Sequence, residues 1–397
     1  MKVLSLFDGM ACGMLAMQRS GINVKRYVAY EIDKYAVQTS SHNFPMIEHR
    51  GDVFKADFTE FDEFDFLVGG SPCTYWSIAQ KNNRETEASG MGWELFQQYV
   101  RALHEAKPKF FVYENNKSMS KAIRASIDEA FGFEAICINS ALVSAQNRQR
   151  LYWVGKRNED GTYSKVDIEQ PEDRGILLKD VLESGSGKVL TEREVDYMFR
   201  KEGRTEYGYI QKSTEEKSKC ITANIAKGVP YNVLFEKCAD PVGTTKAVSC
   251  ADGKEYTVYE VCSFSHPHGW NEGFFTYEKF PNLTTGSSCR QQNVLIEPLT
   301  KDNEHLLEKP QAFCNQKYVV KDNYITIKGK TYPVKLEPGF YIIRKLTVRE
   351  CMRLQTVPEW YEFPVSDSQA YKMLGNGWTV DVIAHLLNGC IKTIERN

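Results

Sequence analysis

No apolar run in this 397-residue chain approaches the roughly 18 residues a membrane-spanning helix needs, so no such helix is expected. No secretory leader is expected either. Met1-Lys2-Val3-Leu4-Ser5-Leu6-Phe7 is a short strand pattern running into a glycine turn, with no small-residue cleavage site, and an intracellular, cytoplasmic protein is expected. CxxC pairs are absent. The 11 cysteines are scattered, so a zinc cluster has no local framework and no metal is expected. An odd number of cysteines in a large chain fits buried free thiols in a reducing compartment. A complete G-x-G-x-x-G is lacking, because Ala11 stands in Phe7-Asp8-Gly9-Met10-Ala11-Cys12-Gly13 where a second glycine would be. That opposes a pyrophosphate cradle and an ordinary dinucleotide site. Excess charge is lacking as well: the formal net charge of −2 does not advertise a nucleic-acid binder, nor exclude one, because phosphate contacts depend on local patches.

What is present is ordinary for a globular protein, with 42% hydrophobic and 26% charged residues. The length implies one large domain with a second domain or a large insertion. Residues 1–155 alternate between strands and helices. Val3–Phe7, Tyr27–Glu31, Phe64–Gly70 and Phe110–Glu114 have strand character, and Leu15–Ser20 has helical character. Across Gly92–Ala106, Trp93, Phe96, Tyr99, Val100 and Leu103 fall on one helical face. This rhythm predicts a parallel sheet with helices on both sides. Residues 156–343 lose it and read as a second, irregular, β-rich domain. Within it Lys219–Asn224 and Phe280–Gly286 are weakly alike, either as paired loops or by chance. The rhythm returns in 344–397, which is expected to fold back and complete the first domain. There Thr347 and Glu350 form a capping box for a helix over Val348–Gln355, Leu374–Gly377 is a tight turn, and Val380–Ile391 is helical.

Several strand ends carry chemistry. The Phe7–Gly13 turn lets the backbone approach a cofactor and opens a helix toward it. Glu31, at the end of the second strand, suits ribose hydroxyls as well as it suits plain solvation, and Asp52, at the end of the next expected strand, suits an adenine amino group. The sharpest feature is Gly69-Gly70-Ser71-Pro72-Cys73, which presents a thiol at the carboxyl edge of the sheet. An inert core thiol needs no such frame; a nucleophile does. Glu114, in Tyr113-Glu114-Asn115, places a carboxyl group at another strand end, where it can exchange a proton with a base. Gln146, Arg148 and Arg150 alternate along one strand face, an arrangement that suits phosphate or developing negative charge, or an edge-strand ion-pair ladder.

In order, these motifs resemble those of the cytosine-5 DNA methyltransferases: Phe7-Asp8-Gly9, Pro72-Cys73, Glu114-Asn115, Gln146-x-Arg148-x-Arg150, a variable region over 156–343, Arg349–Gln355 and Gly375-Asn376-Gly377. The first motif, with Ala11 for a glycine, is similar to that of the animal de novo enzymes, and Asn116 stands where the family usually has valine. The resemblance implies an α/β, Rossmann-like fold for S-adenosylmethionine-dependent methyl transfer in 1–155 and 344–397, with a β-rich target-recognition domain in 156–343. It implies a cytosine flipped from double-stranded DNA and attacked at C6 by Cys73, with Glu114 on N3 and Arg148 and Arg150 positioning base and backbone. It places S-adenosylmethionine against Phe7, Asp8, Gly9, Cys12, Gly13, Glu31, Ile32, Asp52, Val53, Pro72, Asn376 and Trp378. Ser71, Gln146, Lys227, Arg290 and Gln291 are expected on the DNA side. A monomer in the cytoplasm of a bacterial or phage-infected cell is expected, with a cognate restriction endonuclease as a possible partner. A chain that starts at the first motif and stops just after the last fits such a source. An RNA cytosine methyltransferase and a non-catalytic regulator of the same fold are the alternatives. The long 156–343 region favours DNA over RNA, and the retention of Cys73, Glu114 and both arginines favours catalysis.

Overall fold

A computed structural model describes residues 1–78, 84–183, 186–200, 210–237 and 317–395, together with the backbone of three strands between 241 and 276. The helices are α1 (Cys12–Arg19), α2 (Lys34–Asn43), α3 (Gly90–Ala106), α4 (Lys121–Phe131), α5 (Leu178–Val181), α6 (Glu192–Phe199), α7 (Val348–Leu354), α8 (Asp367–Asn376) and α9 (Val380–Glu395). The chain divides into two compact units. Unit 1 comprises Met1–Glu183, Glu215–Asn232 and Thr347–Asn397, and unit 2 comprises Ser184–Thr214 and Val233–Leu346.

Unit 1 is built on an eight-stranded sheet. Its strands are β1 (Lys2–Leu6), β2 (Arg26–Tyr30), β3 (Glu48–His49), β4 (Phe66–Gly69), β5 (Phe110–Asn116), β6 (Ile136–Asn139), β7 (Gln149–Arg157) and β8 (Tyr163–Lys165). The order is β3-β2-β1-β4-β5-β7-β6, with β8 also on β7. The first five strands run parallel, as expected, whereas β7 is antiparallel to β5, β6 and β8. Alternation along the strands sends Leu4, Leu6, Val28, Tyr30, Leu67, Phe111 and Tyr113 into a core shared with Phe96, Tyr99 and Leu103 of α3 and Ile123, Ile127 and Phe131 of α4. The other face carries Tyr27 and Val68, which lie against Gly13 at the start of α1. Thr347 caps α7 and Glu350 closes its capping box, as the sequence predicts.

Three expectations need correction. Residues 156–183 and 215–232 belong to unit 1 and not to a target domain. Strand β7 continues through Lys156 and Arg157 to pair with β5, and the Lys217 ammonium donates to the carbonyls of Ala141, Ser144 and Ile176. The third strand is only two residues long, so Asp52 does not end it. Asp52 instead caps the 3-10 turn Val53–Lys55 by accepting from Phe54 N. Leu374-Gly375-Asn376 is the last turn of α8 rather than a tight turn, because the helix continues until Gly377 breaks it.

Unit 2 contains β9 (Ile210–Lys212), β10 (Val233–Lys237), β11 (Pro241–Val248), β12 (Glu255–Val261), β13 (Phe274–Thr276), β14 (Lys317–Lys321), β15 (Tyr324–Ile327), β16 (Lys330–Pro333) and β17 (Gly339–Arg344). They form a six-stranded sheet, β16-β15-β14-β17-β10-β9, and a three-stranded one, β11-β12-β13. Asp322-Asn323 turns β14 into β15 with both residues at positive φ, the twist that tight hairpins favour. Arg344 is fully buried and pairs with Glu236.

Candidate active site

Strand order reverses about β1, whose neighbours β2 and β4 are reached in opposite directions, and open α/β sheets bind ligands outside the strand ends at such a point. There, wholly within unit 1, lies a cleft of about 970 Å³ with its mouth included. Phe7, Gly9 and Glu31 line one part, and Cys73, Glu114 and Trp378 line another.

The first part is shaped by the turn after β1. Glu31 Oε2 accepts from Gly9 N at 2.9 Å, and its Oε1 accepts from Ile32 N at 2.7 Å and Asp33 N at 2.8 Å. Glu31 thus fixes the turn while keeping a lone pair on Oε2 for a ligand hydroxyl. Behind it, Asp8 Oδ1 accepts from Ser5 Oγ at 2.6 Å and Tyr27 Oη at 2.7 Å, and Oδ2 has no partner. Burial pushes this carboxyl group up to about 6, against the two hydrogen bonds. Burial likewise pushes the Cys12 thiol up to about 12. An aromatic ring, two carboxyl groups and no phosphate cradle fit an adenosyl sulfonium, since both the ring face and the carboxylates favour positive charge. Asn376 lines the cleft as expected; Ile32, Asp52 and Val53 do not, and Gly13 lies behind the turn against Tyr27. The Ile32 side chain is 78% exposed at the surface.

The second part depends on a close approach of two backbones. A Cβ on Gly70 would stand 2.7 Å from the Glu114 carbonyl and 3.1 Å from its Oε2, so only glycine lets β4 end beside that carboxylate. Buried hydrogen bonds then hold the nucleophile turn. The hydroxyls of Ser71 and Tyr113 are 2.7 Å apart, and Asn115 Nδ2 donates to Ser71 O at 3.1 Å. Ser71 is buried and lines the cleft, its hydroxyl being used to fix the turn. Asn116, in place of the usual valine, is also buried. Its amide reaches Cys73 O at 3.5 Å and accepts from Ser118 Oγ at 2.8 Å, adding a polar tie to the turn. Pro72 precedes the single 3-10 turn that Cys73 opens. Burial pushes the Cys73 thiol up and the nearby Glu114 does the same, whereas Arg150 opposes them. Glu114 is held on both oxygens, by Arg150 Nε at 3.2 Å on Oε1 and by Trp378 Nε1 at 2.9 Å on Oε2.

Gln146 and Arg148 precede β7 and do not share a solvent-facing strand surface with Arg150. Gln146 is fully buried, donating to Leu354 O at 2.9 Å and accepting from Ile221 N at 2.7 Å, and so it is a brace inside unit 1. Arg148 is buried too. Its guanidinium donates to the carbonyls of Ile221 at 2.8 Å, Gly375 at 3.3 Å and Gly377 at 2.8 Å, clasping the end of α8. Gly375 fits there because a Cβ would meet the Thr222–Ala223 peptide at 2.2 Å. Lys227, in the 3-10 turn Ala223–Lys227, places its ammonium 5.9 Å from the Tyr231 ring centroid. Arg290 and Gln291, with the Phe280–Gly286 segment, lie outside the described residues.

A model of the C-5 cytosine-specific DNA methylases matches residues 1–392. The chain belongs to this family. Orphan methyltransferase M.SPRI of Bacillus phage SPR is 28% identical, with 99% of this chain and 98% of that protein aligned. Type II methyltransferase M1.ScrFI of Lactococcus lactis subsp. cremoris is 26% identical over 100% of this chain and 79% of its own. The crystal structure of S. pombe Dnmt2 methyltransferase superposes with a TM-score of 0.56 at 15% identity, covering 99% of both chains, a likeness of fold.

This methylase has residues at and beside the site that the sequence does not single out. The sulfur of Cys220 accepts from Arg148 at 3.4 Å and lies 3.9 Å from Arg150 Nη2. Burial alone would raise that thiol; the two guanidinium charges and their hydrogen bonds outweigh it and leave the thiol below its usual range. Eleven scattered cysteines carry no signal for it, and its segment reads in the sequence as part of the other domain. Lys372, paired with Asp33 at 2.8 Å, also lines the cleft.

Proposed function

We propose that this methylase modifies C5 of a cytosine flipped out of double-stranded DNA, with Cys73 as the nucleophile and S-adenosylmethionine as the methyl donor. The observation that carries the reading is that Cys73 and Glu114, the latter paired with Arg150, line one part of a cleft whose other part is formed by Phe7 and Glu31. S-adenosylmethionine held against Phe7 and Glu31 supplies an electrophilic methyl group.

A base inside the helical stack offers neither C5 nor C6, so it must be turned out into the cleft. The Cys73 thiol passes its proton to solvent, its Sγ bonds to C6, and electron density moves toward N3 and C5. Glu114, held by Arg150 and Trp378, takes part as the acid: it gives its proton to N3, which neutralises that charge, and recovers it when Cys73 is eliminated. Once C5 is alkylated its proton leaves to water or a nearby base, the C6–S bond breaks and Cys73 is released. Gly70 and Asn115 keep thiol and carboxylate at fixed separation throughout. Phe7, Asp8, Gly9, Glu31, Asn376 and Trp378 are the cofactor residues in this reading. Arg148 serves by holding the α8 end in shape.

Unit 2 is proposed as the target-recognition domain, with loops that enter the major groove. The enzyme would act as a monomer in the cytoplasm, and the modification would protect DNA from a cognate restriction endonuclease. Among the described residues no helix is long and apolar enough to cross a membrane, and no cluster of metal-ligating side chains is present.

The test is to incubate the protein with mixed-sequence DNA and S-adenosylmethionine, digest to nucleosides and assay 5-methylcytosine by mass spectrometry, with Cys73→Ala beside it. Product from the native protein and none from the variant is expected. Product on transfer RNA alone would overturn the DNA assignment, and product from Cys73→Ala would overturn the nucleophile.

A further inference from the structure

Glu114 has a second holder that the family resemblance does not assign. The resemblance makes Trp378 only a wall of the cofactor site, yet its indole N–H donates to Glu114 Oε2 at 2.9 Å while Arg150 takes Oε1. A carboxylate ion-paired on one oxygen and hydrogen-bonded on the other loses rotation about its terminal bond, and each oxygen still has a lone pair. The far edge of the same indole lies against Gly13 in the first turn of α1, where a Cβ would come within 3.7 Å of it. The ring therefore spans from the helix after the cofactor turn to the carboxylate that meets the base. Its own backbone is set by Arg148, which grips the carbonyl of the preceding Gly377 at 2.8 Å.

We propose that Trp378 is a positioning residue for Glu114: its indole N–H fixes the plane of the carboxylate against cytosine N3, and its ring ties that plane to the cofactor turn. The proposal rests on the reading of Glu114 and Cys73 as the base-activating pair. A residue that only walls the cofactor would affect cofactor affinity, and extra cofactor would restore the rate. A residue that orients Glu114 affects the chemical step at saturation.

Trp378→Phe keeps a ring in place and removes the N–H. In single-turnover methylation at saturating DNA and S-adenosylmethionine, its rate is expected to fall about tenfold, the loss of one hydrogen bond to a charged group. The dissociation constant of S-adenosylmethionine is expected to stay within about twofold, and that retained binding also shows the variant is folded. Trp378→His, which restores an N–H donor, is expected to recover part of the rate. An unchanged single-turnover rate in Trp378→Phe would overturn the proposal. So would a loss confined to cofactor affinity and restored at saturation. The native protein in the same assay separates the two levels: no 5-methylcytosine from it overturns the reading beneath the proposal, and normal product from both proteins overturns the proposal alone.

Discussion

Asp8 is the costliest single side chain near the cofactor turn. Its carboxyl group is buried, one oxygen has no partner, and burial lifts its pKa from 3.8 to about 6. The fold tolerates the neutral acid and resists the anion. Below about 4 both folded and unfolded chains bind the proton and the full stability is present. From there to about 6 only the unfolded chain ionises, and stability falls as pH rises. Above 6 the loss is complete and amounts to about 3 kcal/mol. Asp8→Asn keeps an acceptor for Ser5 and Tyr27 and has no charge to desolvate. Urea denaturation at several pH values is expected to show the native protein losing stability between about 4 and 6, with that part of the slope absent in Asp8→Asn. An identical slope in the two proteins would show that the carboxyl group does not ionise in place. Ala11 is a related local cost. Its φ of 60° is a left-handed conformation in which a side chain is disfavoured, which explains why glycine is common at this position in relatives of the family.

At the scale of elements, the end of α8 is the piece most dependent on others. Arg148 supplies donors to Ile221, Gly375 and Gly377, and Gln355 adds bonds to Leu374 O at 2.7 Å and Gly377 O at 3.1 Å. Arg148→Ala would leave the buried Gly375 carbonyl without its donor and take one of two donors from Gly377 O and Ile221 O, at a cost of about 1 to 3 kcal/mol. Thermal melting and cofactor titration should record it together: a fall in Tm with cofactor affinity weakened at least tenfold. Weak activity at normal Tm and normal affinity would instead place Arg148 on the substrate. The strand-end residues of this site were legible from sequence because a strand that stops at a glycine turn exposes the residues just beyond it, as with Cys73 after Gly69-Gly70. Period-two reasoning failed at Gln146 and Arg148 because β7 starts only at Gln149, and residues before a strand need not obey its alternation. The Trp378–Glu114 bond joins residues 264 apart in the chain, and no local pattern encodes such a pair.

For the whole molecule, the two compact units differ in what holds them. Unit 1 relies on a continuous apolar core with aromatic rings in α3, α4, β5 and β7. Unit 2 contains a buried ion pair, Glu236–Arg344, between β10 and β17. Removing one partner of such a buried pair typically costs about 3 to 5 kcal/mol. Glu236→Ala is therefore expected to speed amide exchange in 233–237, 317–321 and 339–344 while 2–6, 66–69 and 110–116 keep their protection. Equal acceleration in both sets would mean that the units open as one. The boundary between units was only partly legible. The loss of strand–helix rhythm after 155 is real, but 156–183 and 215–232 contribute short strands, 3-10 turns and hydrogen-bonded loops to unit 1, and such pieces have no periodicity to read.

The cleft is assembled from segments far apart in the chain. Asn376 and Trp378 leave the ribosome more than 360 residues after Phe7 and Gly9. At about 5 to 20 residues per second, a nascent chain carries an open half-site for roughly 20 to 70 seconds. Once residue 221 has been made, Arg148 has the Ile221 carbonyl to grip but not those of Gly375 and Gly377, and Glu114 still lacks Trp378. Translation that stalls before α8 would release a polypeptide with its nucleophile and carboxylate in sequence but without the wall that closes the cofactor site. Competence to methylate therefore waits until α8 and α9 dock.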